Sequence, residues 1–481
     1  MKMQDLILKF PHLPKQIFQK LDIESLFKCR EVARSWLNII NERNYPWIHI
    51  VNIPTILKEK NMYLHLAAET GQIEAVKTAL TEEEEKNIKN ELGETLFHLA
   101  CKNGRFLIVQ ELLKNNDLEM DSNAKHNNGI DPNTKDNVGL TGFDWACKKG
   151  NTNVVKVFID TASSLSIGHN KKFNFYRAGL HQACERGHSD VVKILIENAL
   201  ILSIDLNAQT SRDRTAFQRA CIAGQSDVVK IFIENAESSS LDLWTKDNHG
   251  LAGFHWACQK GHSDVVNIFM KNASAFNIDL NRKDNKGLTG FHWVCQSKPR
   301  RARRDLVKTF MENASALSID LNTVDNDGQT GFHWACQKGH SDVVKILMEN
   351  ATALNIGLNR KNNDGWTGFH FVCQNSQSDL CRTDVVKIFM KNASALSIDL
   401  NGKDNNGWTG FHCVCVSGHL GMVKIFMENA SDLGIDLNAK DNNDWTGFQR
   451  AYHMNYSYLI QIFKENAAIL SIDLNRKEND F

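Results

Sequence analysis

A seven-residue phrase close to Thr-Gly-Phe-His-Trp-Ala-Cys recurs along most of this 481-residue chain. Its aromatic or leucine position falls at Leu64, Phe97, Phe143, Leu180, Phe217, Phe254, Phe291, Phe332, Phe369, Phe411 and Phe448, and from Phe143 onward the intervals are 37, 37, 37, 37, 41, 37, 42 and 37. Gly253 to Val266 and Gly331 to Val344 are identical over fourteen residues. A period in this range is the mark of a solenoid, because each unit has an apolar face that only a neighbouring unit can bury. Such a chain stacks one module many times, so function has to be sought on its surface.

The unit around Phe332 shows the local logic. Asp325 to Gly328 has the composition of a tight turn, since Asn and Gly tolerate positive φ and Asp bonds its own backbone. Thr330 is suited to cap a short helix over 331–338, and Gly339 to end it in the left-handed conformation. Ser341 is suited to cap a second helix, with Val343, Val344, Ile346, Leu347 and Ala351 at helical spacing on its apolar face. The glycine stop recurs as Gly71, Gly104, Gly150, Gly187, Gly224, Gly261 and Gly418. Lys298 and Ser376 replace it in the two lengthened units, and Asn455 replaces it in the last. The expected fold class is all-α, a helical solenoid with short hairpin turns.

Lysine plus arginine and aspartate plus glutamate balance at 56 each, which gives no footprint for nucleic acid or an anionic membrane surface. No signal peptide or membrane span is visible. Nine of the twelve cysteines (Cys101, Cys147, Cys184, Cys221, Cys258, Cys295, Cys336, Cys373 and Cys415) hold one repeat position, four residues after the anchor. They read as buried, reduced thiols of a cytoplasmic protein, with nuclear entry left open. His98, His181, His255, His292, His333, His370 and His412 each stand three residues before such a cysteine. Zinc needs about four converging ligands and one unit offers two, so the expectation is no metal, with each histidine bonding the neighbouring turn. Nothing meets the geometric requirements of an enzyme site, and no cofactor is expected. Asp284, Asp325, Asp404 and Asp441 recur with the hairpin and read as turn formers.

These residues resemble the ankyrin repeat, whose Thr-Pro-Leu-His-x-Ala signature matches Thr289 to Val294 and Thr330 to Ala335 with Gly for Pro and Phe for Leu. The family period of 33 separates only Leu64 from Phe97; later units add four residues, about one helical turn, which lets the second helix lengthen in phase. The resemblance assigns residues 61–481 to an array of about eleven units. It implies a binding protein whose hairpin tips and first helices form the recognition face, rather than a catalyst.

The amino-terminal segment has a different rhythm. Leu13-Pro14 with Ile17, Phe18 and Leu21, then Asp22 to Leu26, then Val32 to Trp36, resemble an F-box over residues 8–48, one helical turn shorter than usual between Leu13 and Leu21, followed by a linker over 49–60. An F-box implies docking of Leu13, Pro14, Ile17, Phe18, Leu21, Leu26, Val32 and Trp36 on the Skp-type linker of a cullin-RING ubiquitin ligase, with the array capturing an unknown client. So many apolar residues in about 40 cannot all be satisfied within the segment. The other reading is a helix pair that shields Leu64 and Leu66 of the first repeat. A ligase adaptor, a monomer within a larger complex, is therefore expected; an ankyrin scaffold acting without ubiquitin is the alternative.

Two departures from the repeat remain. Lys298-Pro-Arg300-Arg301-Ala-Arg303-Arg304 occurs once and concentrates positive charge, as an import signal, a docking patch or a solvated loop. The residue between the hairpin glycine and the threonine is Leu140, Leu251, Leu288 and Gln329 in earlier units, but Trp366, Trp408 and Trp445 in the last three. Tryptophan is enriched at interface hot spots, so these tips are candidates for client contact, with packing against the next hairpin as the alternative.

Overall fold

The computed structural model describes residues 57–80, 87–114, 130–164, 175–200, 202, 204–210, 213–297, 300–374 and 379–475. The amino-terminal segment, with Leu13, Pro14, Ile17, Phe18, Leu21, Leu26, Val32 and Trp36, lies outside them. Among the described residues every regular element is a helix, and the helices come in pairs, from Leu57–Thr70 with Ile73–Leu80 to Gly447–His453 with Ser457–Leu470. The chain divides into two compact units, Met1–Ala146 and Cys147–Phe481.

In the second unit, the pair around Phe332 is Gly331–Gln337 and Ser341–Glu349. Thr330 is extended, φ −91°, and its hydroxyl accepts the backbone N–H of His333 while His333 Nδ1 accepts the N–H of Thr330 at 3.0 Å. This reciprocal cap satisfies two of the helix's free donors. Gly339 then takes φ +67°, and the equivalent Asn455 takes φ +57°. The second helix departs from expectation at its start. Its N-cap is His340, whose side chain makes no cap bond, and Ser341 is the first helical residue.

The four added residues also behave differently along the array. In the last two pairs they continue the helix, as Leu420–Leu433 and Ser457–Leu470. Around Phe332 the helix stops at Glu349, and the extra residues form turns ending at Asn355, φ +49°. An Asn one unit earlier clamps each such corner. Asn322 donates through Nδ2 to the Asn355 carbonyl at 2.7 Å and accepts the Gly357 N–H through Oδ1 at 2.8 Å.

The core is a zigzag of aromatic rings. Phe332, Phe389, Phe369, Phe426, Phe411, Phe463 and Phe448 follow one another with centroids 5.1–5.9 Å apart. Each such pair adds about 1 kcal/mol beyond the area it buries. The size of these rings explains the departure from Thr-Pro. A Cβ on Gly290 would stand 2.4 Å from Phe254 Cε1 and 3.0 Å from Cys258 Sγ. A phenylalanine anchor in one unit therefore demands glycine at the start of the next helix. Where the anchor is Leu180, the following position is Ala216, fully buried.

Candidate protein-interaction surface

The histidines of the repeat hold hairpins in register. In His98, His255, His292, His333, His370 and His412, Nδ1 accepts the N–H of the capping residue, which leaves Nε2 to donate to a carbonyl of the next hairpin. His292 reaches Gln329 at 3.1 Å, His333 reaches Arg360 at 2.8 Å and Trp366 at 3.1 Å, His370 reaches Trp408 at 3.0 Å, and His412 reaches Trp445 at 3.0 Å. In the first unit, His98 reaches Leu140 at 3.1 Å in the same way. Burial disfavours the imidazolium, so these histidines titrate below the ordinary value, His333 at about 4. The cysteines beside them are fully buried and pushed upward in pKa by the same desolvation. Among the described residues no three His, Cys, Asp or Glu side chains converge as metal ligands would.

Hairpin aspartates do more than form turns. Asp325 Oδ1 accepts the N–H groups of Asp327 and Gln329, and Oδ2 accepts the indole N–H of Trp334 at 2.9 Å. Asp247 with Trp256 and Asp284 with Trp293 repeat the arrangement at 2.9 and 3.0 Å. Asp136 with Trp145 does so in the first unit at 2.7 Å. A bond to a charged acceptor contributes roughly 1.5–3 kcal/mol. Tryptophan two residues after the anchor is thus tied to its own hairpin, with part of its ring left exposed in Trp293 and Trp334.

In the last three units the tryptophan has moved to the hairpin. Trp366, Trp408 and Trp445 are half-buried rather than standing free at the tips. Trp366 packs on Phe371, centroids 5.1 Å apart. Arg450, ion-paired with Asp441, lies against both Trp408 and Trp445, 5.3 and 5.0 Å from their ring centroids. Packing against neighbours and exposure of one face coexist in all three. Together with Trp293 and Trp334 they line the hairpins and first helices with a row of aromatic surface.

The basic insertion resolves into separate parts. Lys298 lies outside the described residues, and of Arg300 only the backbone is described, as the first residue of the helix Arg300–Asn313. Arg301 and Arg304 are exposed, Arg304 within 3.7 Å of Asp305. Arg303 is not part of a solvent-facing patch. Only 3% exposed, it donates to the Ser297 carbonyl and to His340 Nε2 through Nη1, and to both Asp342 oxygens through Nη2. The reason is register. Aligned on Leu306-Val307 and Val343-Val344, Arg303 occupies the place of His340, and Arg382 does the same in the other lengthened unit. In other units that position is a strut to the end of an earlier first helix, whereas Arg303 braces the end of its own first helix and the following unit. His262 donates to Ile222 at 2.9 Å, Tyr456 to Val416 at 3.1 Å, and Arg382 to Gln337 at 2.7 Å. Sequence reading grouped Arg303 with its neighbours because charge runs are seen before register.

No described helix is long and apolar enough to cross a membrane. A family model for ankyrin repeats (3 copies) matches in seven overlapping stretches, 64–167, 124–208, 144–247, 180–284, 254–357, 291–394 and 353–441. None of the curated proteins matches. Among solved structures, the crystal structure of the human ASB11 ankyrin repeat domain is similar over 50% of this chain and 95% of that one, with 20% identity and a TM-score of 0.38.

Proposed function

The chain belongs to the ankyrin-repeat family, a protein-interaction fold, and from that premise we propose that it recruits a client protein to a cullin-RING ubiquitin ligase. The observation that carries the binding half is the row of partly exposed aromatic rings on successive hairpins and first helices, Trp293, Trp334, Trp366, Trp408 and Trp445. Each is fixed by a carboxylate, a cation or another ring, so little side-chain entropy is lost when a partner covers it. Rigid aromatic surface of this kind supplies interface hot spots.

The ligase half rests on the sequence of residues 8–48. The Leu13-Pro14, Asp22-x-x-Ser-Leu26 and Val32-x-Arg-x-Trp36 pattern supports an F-box that docks a Skp-type linker. No residue of this chain then needs to do chemistry, since ubiquitin transfer belongs to the partners, and the place of action is the cytoplasm. Arg301 and Arg304 remain candidates for an accessory docking or import role.

Affinity purification of the tagged full-length chain, compared with a Leu13→Ala/Pro14→Ala variant, tests the assembly. A Skp-type linker and cullin are expected with the parent chain and absent with the variant, while captured client is retained in both. Client without linker or cullin in either sample would leave an ankyrin scaffold and overturn the ligase reading.

A further inference from the structure

From the Phe254 unit onward the array pairs two positions with a consistent chemistry. One is the hairpin residue seven before the anchor, and the other is the helix residue two after it. Asp247, Asp284 and Asp325 each receive a tryptophan N–H from that helix residue. Asp441 receives the guanidinium of Arg450. Where the helix residue is Phe371, which has no donor, the hairpin carries the neutral amide of Asn362. Carboxylate goes with a donor, and amide goes with a ring.

The Phe411 unit breaks this pairing. Asp404 is 7% exposed, and its Oδ1 accepts the N–H groups of Asn406 and Trp408, both at 2.8 Å. Its Oδ2 is buried without a hydrogen-bond partner among the described residues. The residue opposite is Cys413, far shorter than Trp or Arg, and its thiol does not reach as a donor. A buried carboxylate oxygen left unpaired destabilises the fold, a cost that Asp247, Asp284, Asp325 and Asp441 avoid through their partners. This unpaired oxygen lies just beneath the hairpin surface, on the hairpin of the half-exposed Trp408, with Trp366 on the preceding hairpin.

We propose that Asp404, with Trp408 beside it, receives an arginine or lysine side chain of the bound protein partner. The next unit shows the completed form of such a site, since Arg450 both pairs with Asp441 and lies against Trp408 and Trp445. A partner cation at Asp404 gains the charge-assisted bonds that Cys413 cannot supply, together with a cation–π contact to Trp408. This rests on the reading of the hairpin face as the protein-binding surface, and it adds the chemistry of one subsite.

The test is selection of randomised twelve-residue displayed peptides on the full-length chain, on Cys413→Arg and on Asp404→Asn. Cys413→Arg reproduces the Asp441–Arg450 pairing internally. Asp404→Asn keeps the Oδ1 bonds and removes the carboxylate, and circular dichroism melts show that each variant is folded. The parent chain is expected to enrich arginine or lysine at one peptide position, and both variants to lose that enrichment. A selected peptide should bind Asp404→Asn about tenfold more weakly, the equivalent of one charge-assisted contact. Peptides selected without basic enrichment, or with enrichment that persists in both variants, overturn the subsite while leaving the surface itself intact. Failure of the parent chain to select any peptide would overturn both.

Discussion

The units anchored at Phe254, Phe291 and Phe332 and those anchored at Phe369, Phe411 and Phe448 share helices, caps and core, yet spend their tryptophans differently. In the first group tryptophan sits on the helix and satisfies a buried carboxylate of its own hairpin. In the second it stands on the hairpin, and the helix position becomes Phe371, Cys413 or Arg450. The backbone ladder is indifferent to the exchange, because the bonds from His333, His370 and His412 go to hairpin carbonyls, whatever side chain follows. A repeat array thus keeps stability in its main-chain contacts and is free to vary recognition in the side chains above them.

The largest expected effect tests how alike the two groups are in their cores. Gly290→Ala puts a Cβ 2.4 Å from Phe254 Cε1 and 3.0 Å from Cys258 Sγ, whereas at Gly447 the nearest ring atom, Phe411 Cδ1, is 2.9 Å away. Overpacking at Gly290 should cost about 3 kcal/mol, and Gly447→Ala should cost less. Urea denaturation followed by circular dichroism measures both. Adding Phe254→Leu should recover part of the Gly290→Ala loss, as the native Leu180 and Ala216 combination implies; equal losses with no recovery would mean that ring and glycine are not coupled.

Acid separates the last unit from the others next. His333 titrates at about 4 when folded, against 6.5 in the unfolded chain, because burial disfavours its charged form. Between those values the unfolded state binds more protons, so stability is full above pH 6.5 and is lost as pH falls toward 4. At pH 5 this histidine alone costs about 2 kcal/mol relative to pH 7.5. The last unit carries Gln449 at this position, which accepts from Thr446 and donates to the Asn475 carbonyl with no titrating group. His333→Gln should therefore match the parent chain at pH 7.5 and exceed it by about 2 kcal/mol at pH 5 in urea midpoints converted to free energy. An unchanged difference between the two pH values would remove the histidine ladder as a source of acid sensitivity.

Much of this was legible in the sequence because it depends on spacing. The eleven anchors, the left-handed glycine stops with Asn455 among them, and the threonine caps follow from local backbone requirements that a single unit displays. What escaped depends on contacts between units. Ser341 looked like a cap because it precedes an apolar run, but the N-cap is His340, whose ring meets Arg303 of the preceding unit rather than capping the helix. Arg303 looked like part of a basic patch until the Leu306-Val307 register placed it at the equivalent position. The pairing of Phe anchors with Gly, and of hairpin Asp with helix Trp, is visible in the letters. It has no meaning until the fold shows which positions touch.

The smallest effect asks whether the two sets of tryptophans are structural to the same degree. Trp334→Phe removes the donor to Asp325 Oδ2 and turns that carboxylate into a copy of the unpaired Asp404, at a cost of about 1–2 kcal/mol. Trp408→Phe keeps a ring against Arg450, whose charge remains held by Asp441, so it should cost well under about 1 kcal/mol. Paired urea melts of the two variants measure the difference. The binding consequence runs the other way if the hairpin tryptophans face the partner, with peptide affinity falling more for Trp408→Phe than for Trp334→Phe. Stability and affinity falling together in both variants would mean that moving tryptophan from helix to hairpin leaves its role unchanged, and the comparison between the two groups of units would lose its functional content.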